Sequence, residues 1–329
     1  MTHFNKPPLT ADQQLDLLAD RGLHINDRER ARRLLEVTTL FRLSPYMRPF
    51  QYADDHEHRF RPGSQLADIV YIYRFDSDLR QLVMVGIERI EVAVRACISN
   101  HMAPRYGTHW YLDRRLFKRA YKYERLLADL AAMQRNEIEK YNREAERIRS
   151  TSVDEVTKAE RLENRKRDNY ARYYSLTYSE PSELPSWAML EELSFGALSH
   201  LYGGLAKDRD RKVIARRFGV PHGVLVSWLH TLTFVRNVCA HHSRLWNREL
   251  AISPKWPERL PGPNGRASGG VPRRVFTVLM LLVYLTREIS PDTRWPGRLQ
   301  ALLKEYRHVP LQPMGFTTDW EERLWLAGT

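Results

Sequence analysis

Apolar positions recur at three- and four-residue intervals along most of the chain, a period that predicts helices almost throughout. Over residues 66–102, Leu79, Leu82, Val83, Ile87, Ile90, Val94, Cys97 and Ile98 follow i, i+3, i+4, i+7 spacing and mark one face of a long helix. Residues 7–53 read as two short helices. Thr10-Ala11-Asp12-Gln13 has the form of a capping box, and Asp27 is placed to cap the second helix, which carries Leu34, Leu35 and Leu40. Leu43-Ser44-Pro45-Tyr46 is expected to break that helix, and 52–63 forms a polar loop. Residues 116–174 predict a charged helix, an interruption at Ser150-Thr151-Ser152, and a second charged helix. Helices over 187–202 and 207–218 follow, the latter stopped by Gly219-Val220-Pro221. The next helical pattern runs from Leu225 as far as Arg248; 254–272 is a Pro- and Gly-rich loop, 275–289 a buried helix, and 299–306 a last short one. No strand alternation, internal repeat or phosphate-cradling glycine loop occurs, so the expected class is all-α.

Within this pattern the segment Arg236-Asn237-Val238-Cys239-Ala240-His241-His242-Ser243-Arg244-Leu245-Trp246-Asn247-Arg248 stands out, because it sets cations, imidazoles and an amide into an apolar helical context. On a wheel at about 100° per residue, Leu225, Trp228, Leu232, Val235, Cys239 and Trp246 form a core stripe. Asn237, His241, Arg244 and Arg248 cluster within roughly 60° on the other side, with Phe234, Val238 and Leu245 flanking them as a second apolar stripe. A helix apolar on two sides is expected to be sandwiched by a second body. Arg236 and His241 stand about 140° apart on an ideal helix and converge poorly within one chain. A second copy related by a two-fold axis would supply the convergence.

Imidazole takes and gives protons near neutrality, and guanidinium grips a phosphate in a planar fork. Cleavage of RNA by its own 2′-hydroxyl uses both groups. The competing reading is that the histidines are simply packed or solvated. Arg-x4-His occurs a second time, from Arg217 to His222, but Gly219 and Pro221 lie between and leave that pair without a fixed relation.

The net charge of +12 and pI near 9.7 favour a polyanionic partner, nucleic acid before membrane, or else serve solubility alone. Arg161, Arg165, Lys166, Arg167 and Arg172, interleaved with Tyr170, Tyr173 and Tyr174, suit phosphate contact with base stacking; a solvated helical hairpin explains them equally well. Asp76 with Arg80 and Glu91 with Arg95 are i, i+4 pairs of the kind found on solvated faces. If their helix packs beside Arg236, Glu91 or Arg95 would instead orient the histidine or touch phosphate. His56-Glu57-His58 lacks the further ligands of a tight site, so no metal and no cofactor is expected. Two cysteines, Cys97 and Cys239, in apolar helical contexts argue against a disulfide framework and for a reducing cytosol. No signal peptide is read at the start, and the longest apolar run, 275–285, is about half of what a bilayer needs. A soluble, cytoplasmic protein is expected.

Several blocks, taken in order, resemble one family. They are Gln14 with Leu17-Leu18-Ala19-Asp20-Arg21-Gly22-Leu23, Phe41-Arg42-Leu43-Ser44-Pro45-Tyr46, Phe75-Asp76-Ser77-Asp78-Leu79-Arg80, Ile90-Glu91-Val92-Ala93-Val94-Arg95, Tyr106-Gly107 with Trp110-Tyr111, Ser194-Phe195-Gly196, and the segment from Arg236 to Asn247. Together they resemble the Abi-like abortive-infection family over roughly residues 8–305, and that family is similar to the HEPN superfamily of helical proteins. The resemblance implies a HEPN-like helical bundle: an N-terminal helical region over 1–63, a core over 64–308 with a charged helical insertion at 116–180, and a C-terminal tail over 309–329. It further implies that Arg236 and His241 are the catalytic pair of a metal-independent ribonuclease at a homodimer interface, with Asn237 the polar residue after the arginine. His242, Arg244, Glu91 and Arg95 would support that site, and Arg248 would join the insertion's cations on RNA. The implied role is defence against phage, with RNA as substrate and a bound non-coding RNA as a further partner the resemblance allows. The alternatives are RNA binding without cleavage, or a protein-interaction module.

Overall fold

The computed structural model describes residues 3, 7–263 and 271–326. Fourteen α-helices occur among them: α1 (Ala11–Asp20), α2 (Arg28–Thr38), α3 (Leu40–Met47), α4 (Leu66–Tyr106), α5 (Tyr123–Arg149), α6 (Glu155–Arg167), α7 (Tyr170–Thr177), α8 (Ser186–Glu192), α9 (Phe195–Gly204), α10 (Asp208–Arg216), α11 (His222–Ala240), α12 (Val275–Ile289), α13 (Trp295–Glu305) and α14 (Trp320–Leu326). β-Pairing among these residues is confined to isolated bridges, such as His24 with Gln65, so the chain is an all-α bundle as the periodicity predicts.

The bundle is built around α4. Its apolar positions, from Ile69 through Leu79, Ile87 and Val94 to Met102, are buried, and α3, α8, α10, α11, α12 and α13 all pack against it. Close approach is possible at Gly86, where the Trp295 indole fills the space a Cβ would need, 2.9 Å from Nε1. The same Nε1 donates to the Leu82 carbonyl at 2.8 Å. Residues 275–286 of α12 are buried without exception, as expected for a helix apolar all round. At the N-terminus, the Thr10/Gln13 capping box forms and the Asp27 carboxylate accepts from the Arg30 N–H.

Several boundaries differ from expectation, each for a local reason. The second helix ends at Thr39 (φ 65°), which caps α2 and α3 alike, and Pro45 sits inside α3. The Ser44 hydroxyl donates to the Phe41 carbonyl at 2.9 Å, the acceptor that Pro45 has no N–H to satisfy. The helix expected over 187–202 is two, divided at Ser194, whose side chain caps α9. The charged region holds three helices, with Asn169 capping the third. The C-terminal region adds α14, packed on α12. Of the loop expected over 254–272, residues 264–270 lie outside the described residues, and the flanking ones are non-helical.

Candidate functional site

Helix α11 buries Leu225, Trp228, Leu229, Leu232, Val235, Val238 and Cys239 and carries Arg236 and Asn237 near its C-terminal end, half-buried and exposed respectively. The helix stops at Ala240 rather than continuing to Arg248. His242 N–H donates to the Cys239 carbonyl at 2.9 Å and Ser243 N–H to the Val238 carbonyl at 2.9 Å. His241 is the C-cap, and His242, at φ 53°, occupies the left-handed position that closes a Schellman motif. Glycine is the usual occupant there, so a histidine in that position gives no stop signal in the sequence.

What holds the chain after the turn is a buried carboxylate. Asp76 on α4 is fully buried and accepts from the Leu245 N–H at 3.1 Å, from the Trp246 N–H, from the Tyr46 hydroxyl and from the Arg80 guanidinium. Burial pushes the Asp76 carboxyl up from its ordinary value, while the Arg80 charge and the three other donors pull it down. The Tyr46 and Trp246 rings stack above this centre at 6.5 Å. The Asp76/Arg80 pair is therefore interior, because tertiary partners from α3 and from residues 245–246 close over it. Trp246 is buried, as its place on the core stripe anticipated, and Leu245, expected on the second apolar stripe, is buried within the same chain; a loop folding back covers both, not helical phase. The polar stripe drawn through Arg244 and Arg248 is corrected for the same reason: both belong to that loop.

The exposed surface of the turn is cationic. His241 and His242 are exposed, and among the described residues neither imidazole has a hydrogen-bond partner. Arg42 on α3 donates through Nη1 to the His242 carbonyl at 2.9 Å. Arg248 Nε donates to the Arg244 carbonyl at 2.6 Å. Burial pushes the Arg244 guanidinium below its ordinary value; Tyr46 and Asp76 oppose this, and the neighbouring charges of Arg248 and Arg48 add to it. Arginine remains protonated under such a shift. Among the described residues the Arg236 side chain makes one hydrogen bond, from Nη1 to Asn237 Oδ1 at 3.4 Å. No carboxylate among the described residues pairs with Arg42, Arg48, Arg236, Arg244 or Arg248, in contrast to Arg59, which pairs with Asp55. Arg42 and Arg48 escaped the residue-by-residue reading, although Arg42 sits in one of the family-like blocks.

Most of the other expected site residues are engaged by partners of their own. Arg95 donates to Glu91 at 2.6 Å and to the Leu190 and Leu193 carbonyls at 2.9 and 2.8 Å, tying the end of α8 to α4. Glu91 and Arg95 thereby form a strut between α4 and the end of α8. In the charged region Arg172 is buried, bonding Glu137 at 3.2 Å, Glu144 at 3.3 Å and the Arg165 carbonyl at 2.7 Å. That corrects its placement on an RNA-facing surface. Arg165 pairs with Asp168 and Arg167 with Glu163, and Lys166 lies over the Tyr173 ring. Arg161 is exposed. The second Arg-x4-His pair is structural: Arg217 donates to the Glu288 and Ile289 carbonyls at the end of α12. His56 and His58 are exposed in their loop, and both cysteines are free thiols. No helix among the described residues is long and apolar enough to cross a membrane.

Comparison with curated proteins yields no match, and comparison with solved structures yields none. The sequence profile of the Abi-like protein family matches residues 33–247, from α2 through the Asp76 centre to the end of the cationic turn. That span is well over half of the chain, and the chain accordingly belongs to the Abi-like family, whose setting is abortive-infection defence.

Proposed function

We propose that the chain is a HEPN-type RNA endonuclease, acting in abortive infection through His241 and Arg236. The observation that carries the reading is the turn itself, two exposed imidazoles bordered by five arginines that no carboxylate neutralises. Imidazole and guanidinium are the groups needed to cut RNA through its own 2′-hydroxyl. In that reaction His241 accepts the 2′-hydroxyl proton as the oxygen attacks phosphorus. The bond from phosphorus to the 5′-oxygen breaks, and a proton is returned to that oxygen. Arg236 and its neighbours stabilise the charge that builds on the phosphorane-like transition state. The products are a 2′,3′-cyclic phosphate and a 5′-hydroxyl.

A second copy of the chain completes the site in this reading. Within one chain neither imidazole has an orienting partner; in this reading Asn237 of each copy serves the imidazole of the other. Phe41, 88% exposed, and Val37, 84% exposed, border Arg42 as an apolar rim of the kind a partner covers. The same lack of an orienting partner favours the second reading, an RNA-binding protein that does not cut.

Wild type and His241→Ala, purified under matched conditions and incubated with total cellular RNA in EDTA, separate the two. The nuclease reading expects cuts in wild type alone, with cyclic-phosphate and 5′-hydroxyl ends. Cuts that vanish in EDTA, or that leave 5′-phosphates, overturn it. Stable binding of RNA without cuts moves the assignment to the second reading.

A further inference from the structure

At the far end of α4 from the His241 turn lies another cationic cluster. Tyr106, the last residue of α4, receives Arg105 Nε on its hydroxyl oxygen at 3.2 Å, Lys207 Nζ at 3.4 Å and Arg209 Nη2 at 3.4 Å. A phenol oxygen offers two lone pairs, so three cationic donors exceed what it can satisfy. The hydroxyl proton is already given to Asp210 at 2.7 Å. Asp210 is buried, and its other oxygen is 2.9 Å from His101 Nε2. It stands 3.8 and 3.9 Å from Arg105 and Arg209, long ion pairs outside hydrogen-bond reach that leave the guanidinium N–H groups without its oxygens as acceptors. Of the other carboxylates nearby, Asp208 is bonded to Arg211, and Asp113, whose charge reaches Lys207, is paired with Arg115. Three cations thus converge on one neutral oxygen, with a single inward-facing carboxylate among them.

We propose that Arg105, Lys207 and Arg209 form a second phosphate-binding site that holds the backbone of an RNA strand. Phosphate suits the cluster because two guanidiniums and an ammonium present more donors than any group of the chain accepts. A base is the poorer occupant: Lys207 Nζ lies 4.7 Å and Arg105 5.7 Å from the Tyr106 ring centroid, so the ring already receives cations where a base would stack. Tyr106 lies thirty residues along α4 from Asp76, roughly 45 Å at about 1.5 Å per residue. The two sites would therefore grip one strand at separate points. The inference rests on RNA being the ligand of the chain, and not on its being cut.

The test uses full-length protein carrying His241→Ala, so that RNA stays intact, with and without Arg105→Gln, Lys207→Gln and Arg209→Gln. Affinity for a labelled single-stranded RNA of about 25 nucleotides, long enough at roughly 3.4 Å per nucleotide to outrun the separation, is measured by fluorescence anisotropy over a salt series. At about 0.7 released counterions per phosphate contact, losing three contacts should lower the slope of log Kd against log salt by about 2 and weaken binding roughly tenfold at moderate salt. Arg209→Glu alone, at a side chain 61% exposed, should act in the same direction. Unchanged affinity and slope in both variants overturn the second site. A wild type that binds RNA with this dependence yet never cuts overturns only the nuclease. A parent that binds no RNA overturns both.

Discussion

Arg42 and His242, two hundred residues apart, meet in a 2.9 Å hydrogen bond from the guanidinium to the backbone carbonyl. The contact joins α3 to the turn that carries both imidazoles, and the remaining N–H groups of Arg42 have no partner among the described residues. Arg42 is thus both a brace for the turn and one of its five unneutralised cations.

The two roles separate by substitution. Arg42→Ala should loosen the turn, at a cost of about 1.5–3 kcal/mol for a hydrogen bond from a charged donor, and lower the RNA salt slope by about 0.7. Arg42→Lys should keep the slope while losing the brace. Hydrogen exchange at residues 242–246 reads the first effect, and anisotropy over a salt series reads the second. Equal slopes in wild type and both variants would show that Arg42 does not meet phosphate.

His242 occupies a left-handed backbone position at φ 53°. Histidine tolerates this better than bulky residues do, and glycine tolerates it without cost in the folded state, though glycine is freer when unfolded. His242→Gly should therefore leave stability within about 1 kcal/mol of wild type, whereas His242→Val should lose roughly 1–3 kcal/mol. Urea denaturation midpoints decide this. A valine variant as stable as wild type would mean that the turn is not held in the left-handed region. If His241 alone is the motif histidine, His242→Gly also retains cleavage.

Much of this arrangement could be read from residue pattern alone: the α4 and α12 faces, the Thr10 and Asp27 caps, and the helix that leads through Arg236 to His241. The turn could not. Its stop depends on a non-glycine residue in a left-handed position, and the restraints on it come from Asp76 and Arg42, which are near in space and remote in sequence. For the same reason Asp76 and Arg80, by spacing an ordinary surface pair, are interior: Tyr46 and the Leu245–Trp246 backbone cover them. Arg172 illustrates the same effect, since a basic run interleaved with tyrosines looks exposed until Glu137 and Glu144 of α5 are brought against it.

The Asp76 centre predicts a specific non-additivity. Asp76→Ala leaves Arg80 buried without its partner and two backbone N–H groups without their acceptor, and should cost about 3–5 kcal/mol. Adding Arg80→Met removes the stranded charge. The double variant should recover at least about 1 kcal/mol relative to Asp76→Ala. Denaturation of the four proteins completes the cycle, and simple additivity would mean that the pair is not coupled in the interior.

Cys239 lies against this centre. Burial, reinforced by the Asp76 charge, pushes its thiol up to about 12, with Arg80 and Arg248 opposing. Against an ordinary value near 8.5–9, about a thousandfold less thiolate is present at pH 8. Iodoacetamide at pH 8 should therefore modify Cys97, which is half-buried, ahead of Cys239. Mass spectrometry of the native protein over a time course checks the order. Rapid labelling of Cys239 would show that the end of α11 opens readily, and the Asp76 anchor would then be weaker than its hydrogen bonds suggest.

Arg172 and Arg161 lie on the same charged region and should behave oppositely. Arg172 joins α5, α6 and α7 through Glu137, Glu144 and the Arg165 carbonyl, so Arg172→Ala removes three contacts and leaves Glu137 with Lys140 as its remaining partner. That should cost about 1.5–3 kcal/mol within the hairpin while changing the RNA salt slope little. Arg161 is exposed, and Arg161→Ala should shift stability by no more than about 0.5 kcal/mol. If the hairpin contacts RNA at all, Arg161→Ala lowers the salt slope by about 0.7. Limited proteolysis across residues 123–177 reads the first effect and anisotropy the second. An unchanged slope for Arg161→Ala would leave the hairpin a structural arm and confine RNA contact to the Tyr106 end of α4 and the His241 turn, whereas an Arg172→Ala protein that resists proteolysis like wild type would show that its ion pairs are not what closes the three helices together.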